Sequence, residues 1–172
     1  MFNISVCDDS KFDIEKIKEC LSAFSKKKHI DFNISEFSNS EMLMYEIEDG
    51  KIADIFILDV EMPNMNGFEL ADKIREYTET SVIIFLTSHD EMALMGYKSK
   101  ALRYVIKLNL ERDMEEALES AVTEMSNADD KTITLHYYND YWRISYKDII
   151  CVTRISRQLV ITTHLLGEIT DN

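Results

Sequence analysis

No stretch of this 172-residue chain approaches the roughly 18 consecutive apolar residues that a membrane-spanning helix needs. The N-terminus, MFNISVCDDS, also lacks the basic-then-apolar layout of a secretory signal. Together these absences predict a cytoplasmic protein with no membrane partner. Cysteine is scarce, and Cys7, Cys20 and Cys151 lie far apart in apolar-looking segments. That spacing argues against a disulfide framework or a zinc cluster and predicts small buried hydrophobes in a reducing compartment. No glycine-rich phosphate loop or dinucleotide fingerprint comes after the first apolar segment. Cys7-Asp8-Asp9 stands there instead.

Charge of one sign dominates only part of the chain. The formal net charge is −13, with 14 Lys+Arg against 26 Asp+Glu in residues 1–128 and 5 against 6 in residues 129–172. A surface as negative as the first part repels a phosphate backbone, so that part is not expected to bind nucleic acid by itself; the near-neutral remainder is not barred in this way.

Short apolar runs alternate with segments of helical period. FNISV (2–6), DFNISEF (31–37), DIFILD (54–59), SVIIFL (81–86) and ALRYVI (101–106) read as strands. Ile14, Ile17, Leu21 and Phe24 mark one helix face, and Met114, Ala117, Leu118, Ala121, Val122 and Met125 mark another. Segments 40–49, 67–77 and 90–98 predict shorter helices. Five strand-helix alternations imply a parallel sheet with helices on both faces, since each parallel connection must cross the sheet. The almost wholly apolar IFIL and VIIFL suit strands buried on both sides. After Asn127-Ala128-Asp129-Asp130 the character changes to TITLHYY, a turn at Asn139-Asp140, YWRISY, KDIICVTR and QLVITTHLL. These four β-type segments without a covering helix make a doubtful fold of their own and predict a partial second domain over 128–172.

In sheets of this kind, chemistry gathers outside the carboxyl ends of the strands. Asp8 and Asp9 follow the first strand and Asp59 ends the third. Three like charges so close repel unless a cation sits among them, and hard oxygen donors suit Mg²⁺. Asp59 is the nucleophile candidate, because it ends the most buried strand, with Asp8 and Asp9 placed to hold metal. Thr87 ends the fourth strand and Lys107 follows the fifth, giving a hydroxyl donor and a fixed positive charge able to engage a phosphoryl group. Singly, each has an ordinary explanation: Asp9 or Ser10 as a helix cap, Thr87 as another cap, Lys107 as surface.

The acidic pair at 8–9, LDVEMPNMNG at 58–67, LTS at 86–88 and ALRYVIK at 101–107 resemble the receiver domain of response regulators over residues 1–127. The most specific piece is D-x-x-M-P-x-x-x-G, formed by Asp59, Met62, Pro63 and Gly67. The resemblance implies a flavodoxin-like (βα)5 fold with a five-stranded parallel sheet. It implies Asp59 as phosphoacceptor, Thr87 as switch hydroxyl, Lys107 as phosphate-binding lysine and Tyr104 as switch aromatic. Asp8, Asp9, Asp59 and the backbone carbonyl of Glu61 are implied to hold Mg²⁺. Leu108 stands where the family usually has proline; Ser88 is the small residue common after the switch hydroxyl, and His89 follows at a position where the family tunes phosphoryl lifetime. Glu61 and His89 flank the site and either orient a hydrolytic water or form a solvated surface pair.

From residue 132 the I-x-L opening, RISYKDIICV and the polar loop after it resemble the start of the LytTR (LytR/AgrA-type) DNA-binding domain. Less than half of that module is expected here, so DNA is a partner only where the module is complete. Arg154, Arg157 and Gln158 are the loop residues expected nearest DNA. The resemblance implies a regulator rather than an enzyme in its own right, phosphorylated by a sensor histidine kinase and dimerising in response. Two other readings remain at this point. An aspartyl-phosphate phosphatase of the haloacid dehalogenase type normally needs a second Asp where this chain has Glu61, and a protein-binding module would not need the full site.

Overall fold

The computed structural model describes residues 1–88, 103–129, 132–137, 140–155, 158–163 and 167–170. The chain divides into two compact units, Met1–Val122 and Thr123–Asn172.

In the first unit, β1 (Phe2–Cys7), β2 (Phe32–Phe37), β3 (Ile55–Asp59), β4 (Val82–Thr87) and β5 (Arg103–Ile106) pair in parallel in the order β2-β1-β3-β4-β5. The five strands lie where the apolar runs predict, with ends moved by a residue or two. Every residue of β3 and β4 is buried, as strands covered on both faces must be. Side-chain alternation sends Phe56, Leu58, Ile83 and Phe85 to one face, where they pack with Leu43, Ile47, Leu70 and Ile74. Ile55, Ile57, Ile84 and Leu86, of opposite parity, fill the other face and are also fully buried.

The described helices are α1 (Lys11–Lys28), α2 (Ser40–Glu48), α3 (Gly67–Tyr77) and α4 (Leu110–Asp129). The helix expected over 90–98 lies outside the described residues. Each of the first three helices starts on a side-chain cap that satisfies an orphan N–H. Ser10 accepts from Asp13, Asn39 accepts from Met42, and Asn66 with Glu69 forms a reciprocal capping box. Ile14, Ile17, Leu21 and Phe24 are the buried stripe of α1. On α4, Met114, Ala117, Leu118 and Ala121 are buried, while Val122 and Met125 are half-exposed. The strand order reverses direction between β1 and β3, which makes the carboxyl ends of those strands the switch point where ligands bind in such sheets.

The second unit is β-rich in its described part. Strands β6 (Thr132–Tyr137) and β7 (Asp140–Ser145) form an antiparallel pair. Strands β8 (Ile149–Ile155), β9 (Gln158–Thr163) and β10 (Gly167–Thr170) form an antiparallel sheet in the order β10-β9-β8. Four details differ from the sequence expectations. Asp140 opens β7 opposite Tyr137 instead of lying in the turn. A fifth strand, GEIT, pairs with β9. Arg154 and Gln158 are strand residues rather than loop residues, because the ladder continues to the Ile155–Gln158 pair; Arg157 lies outside the described residues. Cys151 is exposed, since β8 is the edge strand of its sheet, whereas Cys7 is buried and Cys20 intermediate. No described helix is long and apolar enough to cross a membrane.

Candidate functional site

Strand register brings the carboxylates together. Cys7 pairs with Leu58, so Asp8 and Asp59 leave neighbouring strands at the same level. Ligand oxygens of Asp8, Asp9 and Asp59 all lie within 4.8 Å of one another. Asp8 and Asp59 are almost fully buried, at 0% and 3% exposure, while Asp9 is exposed. Burial of two carboxylates side by side is costly. It pushes the Asp59 pKa up to about 6, chiefly through lost hydration and then through the charge of Asp8, with Lys107 and the Glu61 N–H opposing. The Asp8 pKa is raised as well, again mainly by burial, against the pull of Lys107 and the Ser10 N–H.

Lys107 enters from the single helical turn Lys107–Asn109 that follows β5. Its Nζ lies 2.8 Å from Asp8 Oδ2, 3.1 Å from Asp59 Oδ2 and 3.1 Å from Asp13 Oδ2. Burial works against the ammonium, but contacts with Asp8, Asp59 and Asp13 outweigh it and hold its pKa above the ordinary lysine range. Asp8 Oδ2 is buried, and the Lys107 ammonium at 2.8 Å is its charge partner. The three clustered carboxylates are hard oxygen donors that fit a divalent cation such as Mg²⁺.

The loop after β3 closes over the site through its backbone. The Glu61 N–H donates to Asp59 Oδ1 at 3.3 Å, the Val60 N–H to the Leu86 carbonyl at 2.9 Å and the Gly67 N–H to the Val60 carbonyl at 3.1 Å. Asn64 takes a left-handed conformation (φ 66°), and Met65 donates to the Pro63 carbonyl, which turns the chain into α3. The side chain of Glu61 is exposed, and the carbonyl expected as a metal ligand belongs to the next peptide unit along.

Asp59 pairs with Leu86, so Thr87 stands one residue beyond it on the neighbouring strand, fully buried. Tyr104 packs inward, its ring 5.2 Å from Phe85 and 6.5 Å from Phe68. Its hydroxyl is buried with no hydrogen-bond partner among the described residues, and burial pushes its pKa up to about 12. No described peptide bond is cis, the one before Leu108 included. His89 lies outside the described residues. Asp13 is the participant that strand-end reasoning missed: it sits on the first turn of α1, and its signal is an acid three residues after the cap Ser10.

The response regulator receiver domain family matches residues 4–119, more than half of the chain. The chain belongs to the receiver family. Among its relatives, the Positive alginate biosynthesis regulatory protein of Pseudomonas aeruginosa is 29% identical, covering 69% of this chain and 46% of its own. The Transcriptional regulatory protein NatR of Bacillus subtilis is 25% identical, covering 95% of this chain and 68% of its own. The chain therefore spans about half to two thirds of the length of these curated relatives. A receiver domain from Clostridium thermocellum superposes with a TM-score of 0.62 at 25% identity, covering 74% of this chain and 98% of that one. The receiver's relatives are LytTR-type regulators, and its β-rich second unit agrees with such a module.

Proposed function

We propose that this receiver works in the cytoplasm in a two-component phosphorelay, accepting a phosphoryl group on Asp59 from the phosphohistidine of a sensor histidine kinase. A carboxylate oxygen of Asp59 attacks phosphorus, the phosphorus–nitrogen bond breaks, and the released imidazole takes up a proton. The observation that carries this reading is a buried carboxylate with an ammonium at 3.1 Å and two further carboxylates beside it. A nucleophile held with so little other machinery suits a transfer whose catalysis is mostly positioning and charge compensation. Asp8, Asp9, Asp59 and the Glu61 carbonyl would hold Mg²⁺. The bound ion supplies positive charge to offset that of the phosphoryl group.

In this reading Lys107 and Thr87 receive phosphoryl oxygens, and movement of the Thr87 hydroxyl toward the phosphoryl group fixes Tyr104 in the inward position it holds here. The surface reshaped by that movement drives homodimerisation. Residues 1–127 form the receiver and 128–172 the opening of a LytTR-type module, with transcription as the output where the module is complete. Exposed Arg154 is its described candidate for a DNA contact, and Arg157 and Gln158, close by in sequence, are the other two candidates. The match to the regulator NatR along 95% of the chain supports this assignment. The test is the oligomeric state by light scattering with Mg²⁺ and beryllofluoride: we expect a shift toward dimer, absent in Asp59→Asn. An unchanged state would remove the proposed switch.

Replacing Lys107 by Ala removes the fixed counter-charge. We expect beryllofluoride affinity to fall by roughly tenfold or more in protein shown to be folded by circular dichroism. Unaltered affinity and association would exclude Lys107 from the role.

A further inference from the structure

Asp13 is a fourth carboxylate at the site, and the phosphoacceptor reading has no use for it. It is the third residue of α1, after the cap Ser10. An acid at that position ordinarily turns back to the N–H of the cap residue. Here that N–H is already taken by Asp8 Oδ1 at 2.8 Å. The Asp13 carboxylate is left to reach toward the sheet, where it accepts a hydrogen bond from Lys107 Nζ at 3.1 Å.

Direction matters at an ammonium, which carries three N–H donors in a tetrahedral array. Three carboxylates face Lys107 Nζ: Asp13 Oδ2 accepts a hydrogen bond at 3.1 Å, beside Asp8 Oδ2 at 2.8 Å and Asp59 Oδ2 at 3.1 Å. Asp13 lies outside the Asp8, Asp9, Asp59 cluster. It takes hold of the ammonium without contributing an oxygen to that cluster.

We propose that Asp13 is a positioning residue that tethers Lys107, sharing its ammonium with the oxygens of Asp8 and Asp59 and obliging an incoming phosphoryl-type anion to compete for it. The inference rests on the phosphoacceptor reading for its anion arm alone. Before phosphorylation the tether leaves Asp8 and Asp59 more open to a divalent cation. Afterwards it weakens the hold of Lys107 on the anion.

The two effects have opposite signs, which a purely structural role would not produce. Asp13→Asn keeps the shape and removes the charge. We expect it to weaken Mg²⁺ binding, measured by calorimetry with the metal alone, and to tighten beryllofluoride binding in saturating Mg²⁺, each by roughly fivefold. Loss of one negative charge at a distance would push both affinities the same ways. The substitution is therefore repeated in Lys107→Ala, or in Lys107→Met if the former does not fold. A tether acting through Lys107 predicts that the Mg²⁺ shift shrinks below about twofold there. Wild-type affinities in Asp13→Asn, or the same shift without Lys107, would overturn the proposal. Should the wild type take no beryllofluoride, the phosphoacceptor reading fails, and the Mg²⁺ comparison across the same variants still decides the tether.

Discussion

Replacing Gly67 by Ala is expected to destabilise the first unit by about 3 kcal/mol and lower its Tm by roughly 10 °C, a large effect for one methyl group. Gly67 opens α3 directly beneath the site. A Cβ there would stand 2.2 Å from the Asp59 carbonyl oxygen and 3.0 Å from both the Asp59 carbonyl carbon and Val60 Cα. All three atoms are backbone, so no side chain can swing aside. Relief requires α3 to lift or the Asp59–Val60 peptide to move, and the latter breaks the Gly67 N–H bond to the Val60 carbonyl. Movement of that peptide also displaces the Asp59 carboxylate, so phosphorylation slows together with the loss of stability. Gly50 is the control. Its φ of +85° strains any L side chain, but nothing lies within 4 Å, so Gly50→Ala should cost only about 1 kcal/mol and leave the site unaltered. Urea unfolding of the two variants checks both; equal, small losses would mean that α3 is not pressed against the β3 end.

Metal-free Asp59→Asn is expected to be more stable than the wild type at pH 7, by about 2 kcal/mol, although it removes an ion-pair partner of Lys107. The folded-state pKa of Asp59 stands at about 6, above its ordinary value of 3.8. The native state therefore binds more protons than the unfolded state between those values, and stability falls as the pH rises through that window. Below about pH 4 the carboxyl is protonated in both states and the penalty is absent; above about pH 6 it is fully present. Asp8 is shifted in the same direction and adds to the slope. Asparagine does not titrate, so the gap between variant and wild type should open from near zero at pH 4 to its full size by pH 7. Mg²⁺ should close much of it by stabilising the ionised wild type. A wild type that gains stability between pH 4 and 7 relative to Asp59→Asn would mean that Lys107 more than compensates the burial.

The first unit was legible because its physics is periodic. Buried strands on both faces leave apolar runs, and amphipathic helices leave stripes such as Ile14, Ile17, Leu21 and Phe24, so the order of elements follows from the chain. Strand ends then placed Asp8, Asp59, Thr87 and Lys107 at one edge. Asp13 was not legible in this way. Its reach depends on Asp8 occupying the Ser10 N–H, a competition between side chains that no spacing rule records. In the second unit, alternation showed β-structure but not its limits. Turn-type residues such as Asp140 and polar ones such as Arg154 and Gln158 read as loop by residue type, whereas the antiparallel ladders carry them into strands. The exposure of Cys151 depends on the position of β8 at a sheet edge, which is a property of pairing order and not of the local sequence.

The central claim is the covalent chemistry of Asp59, and intact mass spectrometry tests it most directly. Protein mixed with acetyl phosphate should gain one phosphoryl group when Mg²⁺ is present, lose that gain on chelation before the reaction, and show none in Asp59→Asn. An unmodified wild type, a phosphoryl group retained in Asp59→Asn, or steady release of phosphate from simple esters would contradict it.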